Sequence, residues 1–433
     1  MLPIIAVADV SIYGKLVVGL QHDSFPDSPI PSSDSAQGFG SYFGIRGYDQ
    51  VYGQTSVIWQ VEQLVDLSSG QGYARIRANN MVVPRGGTTG NQRGRNTRTM
   101  NVLASGESYL GIQGEWGRLR LGNLSNYMRS SMGSLDLYNY GIGADGLVVY
   151  SRVNRIFPTT IRYDSPKWGG FGFAAMYSFQ ATGQSGVYAL NPDTSINGSL
   201  NGFYSGGIYS LGMSWSSGNF SAKAGTTIFE NVGSYTTSTA PSFNPVGDKY
   251  PNSAYQYAYV NRIELSYNDQ DGLIMGLGMQ STSGYGWNSW ANSGGSWGNY
   301  ITNPGYNYLG LSTNQYQTQE TGVTLGWHFG PWTPKLSYVY GNNLMYNGNI
   351  LNVATGNASQ IPNSGYQQIV GELNLNITPR TIIFVNYGQL MYGQTIANIS
   401  FCGNACNNVK SVNSSNHYQD SQATTAVGLS HTF

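Results

Sequence analysis

Charged residues are scarce in this sequence. Asp, Glu, Lys and Arg make up only 10% of its 433 residues, whereas an ordinary globular domain carries roughly 25%. The 21 basic and 21 acidic side chains cancel to a formal net charge of +0. Disordered chains combine few aromatics with a strong net charge, and this chain has 13% aromatics. The composition therefore indicates a folded protein whose polar groups are mainly uncharged.

Long apolar runs are also lacking. A membrane-spanning helix needs about 20 mostly apolar residues, and the longest clean apolar stretches, such as residues 382–385, are far shorter. A β-barrel remains possible, because its strands alternate between lipid-facing and lumen-facing side chains. That alternation keeps the mean hydropathy modest, and here it is -0.27.

Cysteine and histidine are rare, with 2 and 4 copies. Cys402 and Cys406 stand four residues apart in a polar stretch, a spacing that suits a small loop disulfide in an oxidising compartment. Two thiols alone make a poor metal site, so neither a metal nor a cofactor is expected.

The first eight residues predict export. Residues 1–8 are apolar and end in an Ala-x-Ala sequence, which is typical of the end of a secretory signal peptide. We expect residues 1–8 to be a residual signal segment and the mature protein to start near Asp9. An ordinary N-terminal strand is the alternative.

Glycine (58) and tyrosine (33) are abundant, and several segments alternate with period two, as strands do. In residues 117–122, Leu119 and Leu121 oppose Arg118 and Arg120. Residues 170–179 and 321–329 show the same alternation. Residues 55–63 do too, with Ile58 as the exception. A soluble β-sandwich also alternates, so connection lengths have to decide.

Short and long connections alternate strictly along the chain. Seven short turns are predicted, at residues 48–53, 115–117, 167–170, 216–219, 268–272, 329–334 and 376–380. Eight long loops are predicted, at residues 23–37, 64–105, 123–156, 180–206, 231–255, 284–315, 342–365 and 393–419. Together they join sixteen strands. The sequence thus predicts one all-β domain over residues 9–433, a transmembrane antiparallel β-barrel with short periplasmic turns and long extracellular loops.

Six motifs, in this order, resemble the general porins of Gram-negative bacteria, especially the trimeric neisserial and β-proteobacterial type. They are DVSIYG at 9–14, FGIRG at 43–47, IWQVEQ at 58–63, SYLGIQG leading into GRLRLG at 108–122, IRYDSP at 161–166, and VGLSHTF at 427–433. Each motif is weak singly, but six in order are specific. Residues 180–375 match the family only in strand rhythm.

The resemblance implies a sixteen-stranded barrel, usually a homotrimer, whose third long loop folds into the lumen and narrows it. Here that constriction loop is residues 123–156. Two features depart from the family pattern. Gly106 and Glu107 precede Ser108 where relatives often carry an arginine, and the acidic loop tip of enteric relatives is missing.

Alternation predicts which charges line the lumen. If the leucines of residues 117–122 meet lipid, the arginines between them point inward, since an arginine at the lipid midplane costs about 2–4 kcal/mol. The same rule gives the inward charges of the early strands as Lys15, Arg46, Arg118, Arg120 and Arg162 against Glu62 and Asp164. Each could equally be an ordinary lumen residue that keeps its charge in water.

The constriction loop adds charges of both signs. It offers Asp136 and Asp145, together with Arg129, Arg152 and Arg155. A basic wall opposite an acidic loop would produce a transverse field across the constriction. The excess of basic groups suggests a mild anion preference.

We therefore predict a non-enzymatic outer-membrane porin, a water-filled channel for passive diffusion of ions and small hydrophilic solutes. A sugar-specific channel or a barrel adhesin is the alternative.

The basic run at 75–98 is interpreted as an electropositive vestibule, a lipopolysaccharide contact or a latch on a neighbouring subunit, in preference to a nucleic-acid site. A G-x-S-x-G match at 294–298 lies in a predicted loop, so a hydrolase is poorly supported.

Overall fold

The computed structural model describes residues 9–24, 32–38, 40–65, 67–68, 103–138, 147, 153, 156–179, 207–229, 258–283, 316–343, 345–346, 365–392 and 421–433. These residues form eighteen strand segments and one short helix. In chain order they are β1 (Asp9–Ser24), β2 (Ser33–Gly38), β3 (Tyr42–Tyr52), β4 (Thr55–Leu64), β5 (Ser108–Gly114), β6 (Gly117–Ser125), α1 (Tyr127–Ser130), β7 (Ile156–Asp164), β8 (Phe171–Ser178), β9 (Ile208–Ser217), β10 (Phe220–Phe229), β11 (Ala258–Asn268), β12 (Leu273–Ser283), β13 (Tyr316–Trp327), β14 (Trp332–Gly341), β15 (Met345–Tyr346), β16 (Tyr366–Thr378), β17 (Thr381–Tyr392) and β18 (Ser421–Thr432).

The strands close into a barrel. Each pairs antiparallel with its neighbours, and β1 pairs with β18 from Lys15↔Thr432 to Ser24↔Ala423. At the seam, the Gly14 N–H donates to the Phe433 carbonyl oxygen over 3.1 Å, and the Phe433 N–H donates back over 3.0 Å. Closure satisfies the backbone groups of what would otherwise be two sheet edges, as a lipid environment requires.

The eighteen segments make sixteen barrel strands. β2 and β3 both pair with β1, at different heights, and β14 and β15 both pair with β13. Each of these two pairs is one barrel strand with an interruption. The predicted sixteen-stranded antiparallel barrel is confirmed.

Two of the predicted loops include residues that form strands in the structure. All but the last residue of β2 lies within predicted loop 23–37, and β15 lies within predicted loop 342–365. The sequence of β2, SDSAQG, is polar on both faces and so carries no period-two signal. The hydrogen-bonded strand therefore extends beyond the residues in which apolar and polar side chains alternate.

The seven predicted short turns all join consecutive antiparallel strands, from β3–β4 to β16–β17. The hairpins at β3–β4 and β9–β10 turn at Gly53 and Gly218, whose φ angles are +54° and +55°. Glycine adopts this left-handed conformation without steric cost.

Across the described part of the chain, no helix is long and apolar enough to span a membrane.

The two faces of the barrel differ in polarity. Along β14, exposed Leu336 and Tyr338 alternate with buried Lys335 and Ser337. The same alternation puts large apolar side chains on the outside of the other long strands and buried polar side chains on the inside. Ile58, the exception in the sequence pattern, lies on the inner face of β4 and is buried. An apolar exterior around a polar interior suits a barrel in a membrane.

Candidate functional site in the barrel lumen

Three arginines gather on the inner face of β6 and β7. Arg120 and Arg162 are directly opposite each other in the strand pairing, where like charges repel. Asp164 lies on the same face of β7 and compensates them. Its carboxylate is 2.7 Å from both Arg120 and Arg162 and 3.7 Å from Arg118. Glu107, just before β5, adds a 2.7 Å ion pair with Arg120. We call these five residues the arginine cluster.

Tyrosines extend this inner wall over β1, β3 and β5. The Tyr13 hydroxyl donates to Glu62 over 3.2 Å, and its ring passes over Gly44, which has no side chain to obstruct it. The exposed Arg46 stacks 4.9 Å from the Tyr13 ring centroid, a cation–π contact. Arg120 stacks in the same way on Tyr109, at 5.1 Å.

A chain segment crosses the inside of the barrel. Residues 126–138, which we call the inner segment, begin with α1, where the Asn126 side chain accepts from the Arg129 N–H. Tyr127, Met128 and other apolar side chains of the segment are buried against the inner wall. Residues 139–146 lie outside the described residues.

The inner segment follows the wall strand by strand. Asn126 donates to Thr227 on β10 over 3.3 Å. The Leu135 carbonyl oxygen accepts from Thr324 on β13 over 2.9 Å and from Ser337 on β14 over 3.1 Å. Tyr138 donates to the Val370 carbonyl oxygen on β16 over 2.9 Å. Successive residues of the segment therefore contact successive strands.

Glu264 on β11 makes the densest of these contacts. Its Oε2 accepts from the Gly133 N–H (2.8 Å), the Ser134 N–H (3.0 Å) and the Ser134 hydroxyl (2.7 Å). The Glu264 side chain is only 1% exposed. A buried carboxylate needs such donors to offset its lost hydration, so the segment and the wall stabilise each other here.

Charges on the wall opposite the arginine cluster have polar partners within the wall. Arg262 donates to Gln280, which donates to Glu320 over 2.6 Å, and Tyr366 also donates to Glu320, over 3.0 Å. Lys335 and Glu372 form a 2.7 Å ion pair. Sequence reasoning missed these residues and Glu264. The alternation of Arg262 and Glu264 with Ile263 and Leu265 was the signal that could have found them.

A smaller set of charges reaches lumen water. Arg46 and Asp136 are exposed, and the Arg118 side chain is 40% exposed. Lys15 is half-buried on the inner face of β1. The Asp136 carboxylate is within electrostatic range of Arg129 on the segment itself, of Lys335 and Lys15 on the wall, and of the acidic Glu372, so basic groups predominate around the acid of the inner segment.

Several predicted residues cannot be placed. Asp145, Cys402, Cys406 and the basic run at 75–98 all lie outside the described residues. The disulfide and the roles suggested for the basic run therefore stay predictions.

A closed barrel with an apolar exterior, a charged interior and a segment folded inside has the architecture of an outer-membrane channel. The family model described as Gram-negative porin matches residues 2–394. The chain belongs to that family, and the predicted resemblance is confirmed.

Individual relatives agree with this assignment. The chain is 22% identical over 403 residues to the major outer membrane protein P.IB of Neisseria lactamica, covering 91% of each chain. Among solved structures, the anion-selective porin of Comamonas acidovorans superposes with a TM-score of 0.58 at 14% identity, over 98% of this chain and 100% of that one. The trimer form of OmpT from Vibrio cholerae gives 0.52 at 11% identity, over 98% and 99%. The protein is an outer-membrane porin, a channel for passive diffusion.

Proposed function

We propose that this porin is a general diffusion channel, narrowed by the inner segment, that mildly prefers anions and catalyses no reaction. The anion preference is supported by the balance of positive and negative side chains that face water in the lumen. Most lumen acids are engaged: Asp164 by arginines, Glu372 by Lys335, and Glu264 by the inner segment.

Basic groups outnumber acidic groups among the lumen charges that are at least partly exposed to water. They are Lys15, Arg46, Arg118 and Arg129, against Asp136 and the less exposed Glu107 and Asp164. Charged side chains along a pore bias which ions enter. The Comamonas acidovorans porin that shares the fold is itself anion-selective, which agrees with this direction.

Replacing Arg46 should weaken the anion preference. Arg46→Ala removes an exposed lumen charge and is expected to shift the reversal potential, measured in a planar bilayer under a KCl gradient, towards that of a cation-selective channel. Arg46→Lys is the matched control, because it keeps the charge while losing the planar stacking on Tyr13 and the Nε hydrogen bond to Ser11. Equal reversal potentials for wild type and Arg46→Ala would show that Arg46 does not contribute to the ion selectivity of the channel.

Solute uptake separates a general porin from its alternatives. Liposomes containing the refolded protein should swell in uncharged sugars at rates that fall smoothly with solute size. A sugar-specific channel would saturate and would favour one sugar over others of equal size. A barrel that serves only as an adhesin would give no swelling.

We also propose a homotrimer, which is the form named for the Vibrio cholerae OmpT structure. Tryptophan favours the membrane–water interface. Among the described residues, the exposed tryptophans all lie on the hairpins between β5 and β14; they are Trp116, Trp168, Trp215, Trp327 and Trp332. The remaining sector, from β16 through β18 and β1 to β4, is the candidate subunit interface. The tryptophan-bearing sector would then meet lipid and lipopolysaccharide.

A bulky substitution in each sector tests the trimer. Ile45 on β3 and Leu265 on β11 are both exposed on the outer face. Ile45→Trp should overpack a subunit interface and increase the monomer fraction in detergent, measured by light scattering after size exclusion. Leu265→Trp should leave the trimer intact, because lipid accommodates the larger ring. Equal trimer fractions for the two variants would place the interface elsewhere.

A further inference from the structure

Glycines face the inner segment along its path over the wall. Gly212 lies on β9, Gly225 on β10, Gly276 and Gly278 on β12, and Gly322 on β13. In the strand pairing Gly212 is opposite Gly225, and Gly278 is opposite Gly322. We call these five residues the glycine track.

Each glycine of the track lies beneath a particular residue of the inner segment. A Cβ added at Gly212 would lie 1.9 Å from the Tyr127 ring, and one at Gly225 would lie 3.0 Å from the Met132 sulfur. A Cβ at Gly276 would lie 2.0 Å from the Ser134 carbonyl oxygen.

Leu135 covers the last two glycines. A Cβ at Gly278 or Gly322 would lie 2.8 or 2.7 Å from its Cδ1. Ordinary carbon contacts are about 3.5–4.0 Å, so an alanine at Gly212 or Gly276 would overlap the segment, whereas one at the other three positions would require a Met132 or Leu135 side chain to move. A glycine within a strand often marks a place where another part of the chain approaches closely.

We infer that the glycine track determines the width of the pore, because it lets the inner segment lie flat against the wall. This inference rests on the proposed function, in which the segment narrows the channel. An added side chain whose overlap no rotamer change relieves would displace the segment away from the wall, towards the pore axis. The glycines thus act as size-determining residues although they contact no solute.

The five positions should differ in effect. At Gly276 the obstructing atom belongs to the backbone of Ser134, whose N–H and hydroxyl are also bound by Glu264. A rotamer change cannot relieve that overlap, and a shift of roughly 1 Å or more is needed. At Gly278 and Gly322 the obstructing atom is the end of the Leu135 side chain, which can rotate.

The test is single-channel conductance in planar bilayers. Gly276→Ala should conduct less than wild type and should admit large uncharged solutes more slowly. Gly172→Ala is the matched control: Gly172 is on the inner face of β8, and a Cβ there meets only ordinary contacts at 3.6 Å or more. Far-UV circular dichroism establishes that each barrel has folded. Conductance of folded Gly276→Ala at or above the wild-type value would overturn the inference.

A rescue experiment guards against a variant that does not fold. Gly322→Ala should lower conductance moderately, and the loss should disappear when Leu135→Ala removes the obstructing methyl group. A loss of the same size in both backgrounds would contradict the inference. Wild-type protein that forms no channels would instead refute the proposed function, so the two failures are distinguishable.

Discussion

Asp164→Asn should markedly destabilise the barrel and strengthen its anion preference. Asp164 contacts Arg120 and Arg162, whose side chains are only 5% and 3% exposed. Removing one partner of a buried ion pair typically costs about 3–5 kcal/mol, because a buried charge is left uncompensated. The substitution also removes one negative charge from the lumen. Denaturant unfolding in detergent and the reversal potential measure the two effects.

Asp136→Asn is the matched control for this substitution. It makes the same change in lumen charge, but the Asp136 carboxylate is exposed on the inner segment. Its reversal potential should therefore shift in the same direction as that of Asp164→Asn. Its unfolding midpoint should stay close to the wild-type value, as for most exposed substitutions. Equal stability of the two variants would show that Asp164 does not hold the arginine cluster together.

Glu264→Ala should make the open channel noisy. The change removes the acceptor of three hydrogen bonds from Gly133 and Ser134, and bonds to a charged group contribute about 1.5–3 kcal/mol each. The middle of the inner segment would then fluctuate within the lumen, and the current would fluctuate with it. The variance of the open-channel current, compared with wild type under the same voltage, measures the effect.

Glu320→Ala provides the comparison, since it makes the same charge change on the same wall. Glu320 accepts from Gln280 and Tyr366, which are themselves wall residues. Excess current noise should therefore be much smaller in Glu320→Ala than in Glu264→Ala. Equal noise in the two variants would mean that loss of a lumen carboxylate, and not release of the segment, causes it.

The barrel could be predicted from the sequence because strand geometry imposes period two on every spanning segment. Leu119 and Leu121 must face lipid, and Arg118 and Arg120 must then face inward. The strict succession of short turns and long loops gave sixteen strands. β2 was missed, because its polar residues show no apolar alternation.

The lumen was less predictable because its contacts join distant parts of the chain. Glu264 binds Ser134 across 130 positions of sequence, and no local pattern connects the two. Glu107 stood out in the sequence only as a departure from the family pattern, whereas the structure makes it a partner of Arg120. The glycine track is likewise invisible among 58 glycines until the path of the inner segment is known.

Single-channel recording of the refolded wild-type protein in a planar bilayer under a salt gradient tests the central claim most directly. We expect large ohmic steps, in groups of three for a trimer, with a reversal potential on the anion-selective side. Silence, or small steps that one particular sugar blocks, would contradict a general diffusion porin and would favour a plugged barrel or a substrate-specific channel.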